Sequence, residues 1–247
     1  MDDLAPRVMF VDIETAPHLI YAWDTYETNA ITVVKEGYIL SFAYQWEGEK
    51  TVVKALPDYL SYKENKSDDK ALVKDLWHRL CEADVIIAHN GDRFDLRKIN
   101  ARFIKHGLKP PAPYKTIDTL KIARNVAAFP SNKLDNLSKH LGIGRKLPHT
   151  GFNLWEGCMR GDEKSWRVMK KYNAHDVFLL REVYLKLRPY AKSHPDMRLY
   201  DRKDGCPRCR SDKIQRRGKR FANARVYRQY FCRNCGHWFS GEVIRHI

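Results

Sequence analysis

Val8-Met9-Phe10-Val11-Asp12-Ile13-Glu14-Thr15 is the stretch on which the fold turns. Its apolar, partly β-branched run suits a strand, and successive strand residues point to opposite faces. Asp12 and Glu14 then share one face, and Val11 and Ile13 the other. Apolar residues on both faces describe a strand covered on both sides, where an ionised carboxylate is expensive unless it is paired or holds a metal. A hard divalent cation would settle both charges. A strand that stops at Asp12 and leaves Glu14 in water is the competing reading, and the rest of the chain has to separate the two.

The chain has 247 residues, enough for a principal domain with a real core and a small appendage. A content of 43% hydrophobic and 12% aromatic residues excludes a disordered chain. The formal net charge of +15 points to a polyanionic partner, nucleic acid before an acidic membrane surface. The acidic start Met1-Asp2-Asp3 has neither region of a signal peptide, and no apolar run has the length of a membrane span. A soluble, cytoplasmic protein is therefore expected. Six cysteines in that compartment argue for metal or free thiols before disulfides, with Cys81 and Cys158 reading as isolated buried residues.

Downstream of the first strand, Tyr38 to Trp46 and Thr51 to Leu56 are β-rich runs joined at Glu47-Gly48-Glu49-Lys50, which reads as a hairpin. Leu72, Leu76 and Leu80 then repeat at helical spacing. Asp84 to Ala88 reads as a short buried strand, His89-Asn90-Gly91 as a turn, and Asp92 to His106 as a helix. A strand, a helix and another buried strand imply a crossover, so the sheet is expected to be mixed. Tyr114 to Ile117 reads as a fifth strand, and Pro148 to Gly161 as an irregular surface loop over the site. Lys164 to Leu187 reads as the last helix of this part.

On that helix the apolar stripe through Met169, Tyr172, Leu179, Leu180, Val183 and Leu187 also carries Asp176. Asp176 either faces the sheet as a third carboxylate or reaches the stripe edge to pair with a Lys. Asp95 is a fourth acid, in a first turn that welcomes Asp for dipole reasons alone. It follows a turn at the C-terminal end of a strand, where open α/β sheets bind ligands. Asp118 invites a ligand role too, but a helix cap for Thr119 to Ala127 is preferred.

In order, Asp12-x-Glu14, His89-Asn90-Gly91-x-x-Phe94-Asp95 and Tyr172-x-x-x-Asp176 resemble the signature of the DEDD superfamily of 3′→5′ exonucleases, over about residues 7 to 188. Tyr172 lies four residues before the final Asp, and Lys171 stands where a second branch has His. The chain is thus similar to the tyrosine branch, which includes proofreading domains of family-A and family-B DNA polymerases. The resemblance implies an α/β ribonuclease H-like fold, a five-stranded mixed sheet flanked by helices, spanning 1–188. It implies two Mg²⁺ or Mn²⁺ ions held by Asp12, Glu14, Asp95 and Asp176, with Tyr172 orienting the attacking water. Asn90 and Phe94 are candidate contacts to the terminal nucleotide. The implied activity is hydrolysis of single-stranded nucleic acid from its 3′ end, DNA favoured over RNA, to nucleoside monophosphates. A non-catalytic nucleic-acid binder on the same fold and a ribonuclease H-like endonuclease are the alternatives.

Residues 189–204 read as a charged linker, and 205–247 as a separate module. Cys206-x-x-Cys209 and Cys232-x-x-Cys235 are separated by 22 residues, the pattern of two knuckles closing a tetrahedral S₄ zinc site, and resemble a zinc ribbon. Residues 201–247 carry 13 Lys or Arg against 4 Asp or Glu. Gln215-Arg216-Arg217-Gly218-Lys219-Arg220-Phe221 interleaves cations with aromatics, which suits phosphate contact and base stacking. A ribbon face that docks a protein is the other possibility. An exonuclease domain with its own ribbon would suit a phage-encoded or microbial nuclease.

Overall fold

Val8–Thr15 forms the middle strand, β1, of a five-stranded mixed sheet in a computed structural model that describes residues 5–26, 29–201 and 204–246. The acidic start Met1-Asp2-Asp3, Arg202 and Lys203 of the expected linker, and Ile247 lie outside the described residues. After β1 come β2 Leu19–Tyr21, β3 Thr32–Lys35, β4 Ile39–Trp46, β5 Val52–Ala55, α1 Lys70–Cys81, β6 Val85–Ala88, α2 Asp95–Lys105 and β7 Lys115–Asp118. Then follow α3 Thr119–Val126, α4 Leu134–His140, α5 Phe152–Arg160, α6 Glu163–Leu187, α7 Arg198–Asp201, β8 Ile214–Ala222, β9 Arg225–Cys232 and β10 Trp238–His246. The main sheet runs β5-β4-β1-β6-β7, antiparallel across its first three strands and parallel across its last three, as the crossover requires.

Alternation along β1 divides the core. Met9, Val11 and Ile13 pack with α1, α2 and α5, whereas Val8 and Phe10 pack with α3, α4 and the C-terminal half of α6. Asp12 and Glu14 share the parity of Val8 and Phe10, so they face the layer that contains α6. All eight side chains of β4 are buried, because this strand is covered on both faces.

A buried ion cluster ties α2 to β4. The fully buried Asp69 carboxylate accepts from Ile39 N at 2.9 Å, from Arg102 Nε at 2.8 Å and Nη2 at 2.5 Å, and lies 2.7 Å from His106 Nε2. Replacing Asp69 by Ala leaves a guanidinium buried without its anion, and is expected to cost about 3–5 kcal/mol of unfolding free energy. Urea titration of both proteins measures it; a change below about 1 kcal/mol would show that water replaces the carboxylate.

Two elements differ from the sequence-based expectation. The stretch 148–161 is mostly the helix α5, entered at Gly151 (φ +64°) and left at Gly161 (φ +93°), with Leu154 and Cys158 buried four residues apart. Its Pro and Gly content disguised it, although they mark its ends. β2 and β3 form a separate antiparallel hairpin whose strand residues are all exposed. With none of its strand residues buried, no periodic signal marks it. Cys158 is buried as expected, while Cys81 is only partly so. Among the described residues no helix is long and apolar enough to cross a membrane.

The C-terminal residues form a three-stranded antiparallel sheet, β10-β9-β8, with the four cysteines at one end. Within the stretch 189–204, Ala191 and Met197 are buried against the main domain, and His194 Nε2 lies 2.8 Å from Tyr184 Oη.

Candidate metal centre and its surroundings

The carboxylates arrive from three elements. Asp12 and Glu14 come from β1, and Asp176 from the middle of α6; one oxygen from each lies within 4.8 Å of the others. Asp95, in the first turn of α2, is buried and its Oδ1 accepts from Ile13 N at 3.4 Å, which sets it beside the same strand but outside that trio. The turn that delivers it is forced by close approach. Asn90 takes a left-handed conformation (φ +63°), and a Cβ on Gly91 would stand 2.4 Å from the Ala88 Cβ. Asp118 accepts from Leu120 N and Asn90 N, both at 2.9 Å, so it caps α3 and pins this turn.

Burial of like charges dominates the electrostatics. Burial, then the neighbouring Asp95, Glu14 and Asp176, pushes the Asp12 carboxyl well above its ordinary range. Burial followed by Asp176 lifts Glu14 to about 7, although the Trp155 side chain hydrogen-bonds it and favours its charge. Burial raises Asp95 to about 6 against the pull of the Ile13 N–H, and raises Asp176 against the pull of Lys146.

Lys146, which the sequence reading did not single out, stands in this cluster. Its Nζ donates to Asp176 Oδ2 at 2.5 Å and to Tyr172 Oη at 2.9 Å. The Tyr172 phenol is pushed up to about 12 by burial and by Asp176. Asn173, also missed, donates from Nδ2 to Asp12 Oδ2 at 2.7 Å and accepts from Ser41 Oγ at 3.0 Å. Its spacing three residues before Asp176 was the available signal; Lys146 lies in an aperiodic segment and offered none.

Asn90 lines, with Lys146, His89, Arg124 and Lys133, a cleft of about 610 Å³. Phe94 is 45% exposed, and Lys98 Nζ lies 4.1 Å from its ring centroid, so it is a surface side chain rather than core.

The residues fit hard cations. Three acidic oxygens converge, burial penalises their charge, and Asp176 Oδ1 is buried with no hydrogen-bond partner among the described residues. The cysteines fit zinc. Cys206 and Cys235 sulfurs lie 3.6 Å apart and those of Cys209 and Cys232 3.7 Å apart, near the edge of about 3.8 Å that a tetrahedron with 2.3 Å zinc–sulfur bonds requires. All are free thiols, and Arg208 N and Asn234 Nδ2 approach sulfurs at 3.5 and 3.6 Å.

A five-stranded mixed sheet flanked by helices, with acids from a strand and two helices gathered beside its central strand, defines an α/β domain of the ribonuclease H kind. Residues 9–188 match the RNase_H superfamily, and the chain belongs to it. A stretch of 106 residues is 35% identical to the DNA polymerase III PolC-type of Ureaplasma parvum serovar 3, which is 42% of this chain and 7% of the polymerase. The solved structure of the family B DNA polymerase from the hyperthermophilic archaeon Pyrobaculum calidifontis matches at a TM-score of 0.53 and 15% identity. That match covers 75% of this chain and 25% of the polymerase, a likeness of fold.

Proposed function

We propose that the protein is a metal-dependent 3′→5′ exonuclease of the DEDD tyrosine branch, cutting single-stranded nucleic acid to nucleoside monophosphates. The observation that carries this reading is the convergence of Asp12, Glu14 and Asp176, with Asp95 and the buried Tyr172 alongside. DNA is favoured over RNA because the relative matched at 35% identity is named as a DNA polymerase. Asp12, Glu14 and Asp176 would hold one Mg²⁺ or Mn²⁺, and Asp12 with Asp95 a second. Such a pair, when bound, supplies Lewis-acid activation of water and charge stabilisation at the leaving 3′ oxygen.

The chain's own groups set the geometry. With its pKa raised to about 12, Tyr172 keeps its proton at neutral pH and orients the attacking water by donating a hydrogen bond, rather than acting as a base. Lys146 donates to the same oxygen and the phenol hydrogen-bonds Asp176, so Tyr172 is held beside a carboxylate that would carry metal. Asn173 fixes the rotamer of Asp12, and Trp155 that of Glu14. Cys206, Cys209, Cys232 and Cys235 would hold one structural Zn²⁺.

The test uses 5′-labelled single strands of one sequence, as DNA and as RNA, with and without a 3′-terminal phosphate, in Mg²⁺ or Mn²⁺. A ladder that shortens from the 3′ end and stalls on the blocked strand is expected. Internal cuts unaffected by the block would instead mark an endonuclease.

Lys146 also fills the place of a cation when metal is absent. Lys146→Met is expected to lower the melting temperature of the metal-free protein by roughly 2–8 °C, from about 1–2 kcal/mol at a partly exposed pair. Mn²⁺ should restore more stability to the variant than it adds to the wild type, because no ammonium competes for Asp176. Equal metal-induced shifts in scanning calorimetry would overturn this.

A further inference from the structure

The ribbon docks beside the start of β1 and the end of α6, away from the carboxylates. Glu47, whose N–H donates to the Val8 carbonyl at the start of β1, pairs with Arg210 at 3.3 Å and Arg188 at 3.9 Å. Arg208, between the first two cysteines, donates to the carbonyls of His194 and Ala191 at 2.9 and 2.6 Å, and the His237 ring lies 3.0 Å from the Pro189 carbonyl. Two rulers give the distance to the acids. Along β1, Val8 to Glu14 is about 20 Å at 3.3 Å per residue. Along α6 and its cap, Asp176 to Arg188 is about 18 Å at 1.5 Å per residue.

β8 is an edge strand, and all but the last of its residues are exposed. Gly218 (φ +89°) breaks its pairing register between Arg216 and Lys219. Arg228 on the neighbouring strand has an acidic partner in Glu242, but Arg216, Arg217 and Lys219 have none among the described residues. Phe221, on the same strand, is 74% exposed. Arg216 pairs with Tyr230, two residues from Cys232, so the cationic run begins beside the cysteine cluster and hence at the docked end.

We propose that this edge is a second contact for single-stranded nucleic acid, gripping the strand upstream of the bond being cut and making the enzyme select for length. The proposal rests on the 3′→5′ exonuclease reading of the main domain. Unpaired guanidinium and ammonium groups take phosphates, and Phe221 offers a face for a base. At the 3.4 Å per nucleotide of a stacked strand, the stretch from the acids to the docking end alone takes about six nucleotides. A shorter strand reaches the acids or the ribbon, but not both.

The test compares a 4-nucleotide and a 20-nucleotide single strand on wild type and on the triple variant Arg216→Gln, Arg217→Gln, Lys219→Gln. On the long strand kcat/KM is expected to fall about tenfold, and the slope of log affinity against log salt to lose about 2, as three phosphate contacts disappear. The short strand should change less than twofold. Binding of fluorescent strands is measured in parallel by anisotropy on an Asp12→Asn background, which separates the two readings. If wild type cuts nothing yet the triple variant still loses long-strand binding, the exonuclease reading fails while the anchor stands. Unchanged binding of the long strand, or equal loss on both lengths, overturns the anchor.

Discussion

Asp12→Asn is expected to stop strand shortening while making the metal-free protein more stable. The substitution keeps shape and preserves an oxygen that can accept from Asn173 Nδ2, so the fold has no reason to change. It removes the ligand proposed to be shared by both metals, however, and several kcal/mol of transition-state charge stabilisation correspond to a loss of at least about a thousandfold in turnover. The stability gain has the opposite origin. The native Asp12 carboxylate is buried against Asp95, Glu14 and Asp176, and an amide is not repelled by them. A rise of about 2–4 °C in the metal-free melting temperature corresponds to roughly 1 kcal/mol. The same burial makes wild type pH-sensitive. Glu14 has a folded pKa near 7, above its unfolded value, so the native state holds a proton that the unfolded chain has already released. Stability of the metal-free protein therefore falls as pH rises from about 4.5 through 7, and the fall should be smaller in Asp12→Asn. Calorimetry across that range, with residual cleavage assayed alongside, decides both parts; a variant that cuts at a tenth of the wild-type rate or better would remove Asp12 from the reaction.

Removing the zinc proposed for the cysteine cluster is expected to have the second large effect. The ribbon has little core: Val226, Cys206 and Cys232 are its only buried apolar side chains among the described residues. Structural zinc in such modules contributes about 10–16 kcal/mol at neutral pH, far more than those side chains can. The purified chain should carry one zinc. Cys232→Ser or a strong chelator should abolish hydrogen-exchange protection in β8, β9 and β10 while β1, β4 and β6 remain protected by the main core. A chain that contains no zinc and keeps its ribbon protection in chelator would refute the assignment.

How much of this could be read in advance differs by residue. Asp12 and Glu14 were legible because a strand repeats every two residues, and Asp176 because a helix repeats every 3.6; each acid broke an apolar pattern that predicted its direction. The cysteines were legible because metal geometry constrains their spacing. Lys146 and Trp155 were not. Both belong to the segment between α4 and α6, and they reach the site only once the chain folds over Tyr172, which no local period records. Asn173 sat on a stripe already described, but an amide on a buried stripe has several uses, and its partner Ser41 is 132 residues away. The β2–β3 hairpin left no trace because none of its strand residues is buried.

α6 holds Tyr172 and Asp176 near its middle and ends where the ribbon docks. It therefore acts as a keyed shaft between two working parts. One residue inserted between Val177 and Leu187 would advance its far end by about 1.5 Å and turn it by about 100°. Arg188 would swing away from Glu47, and the buried face of the last turns would be exchanged for an exposed one. The loops of this protein can absorb insertions of several residues, whereas this helix tolerates none, so its length should be the most restricted dimension in the molecule.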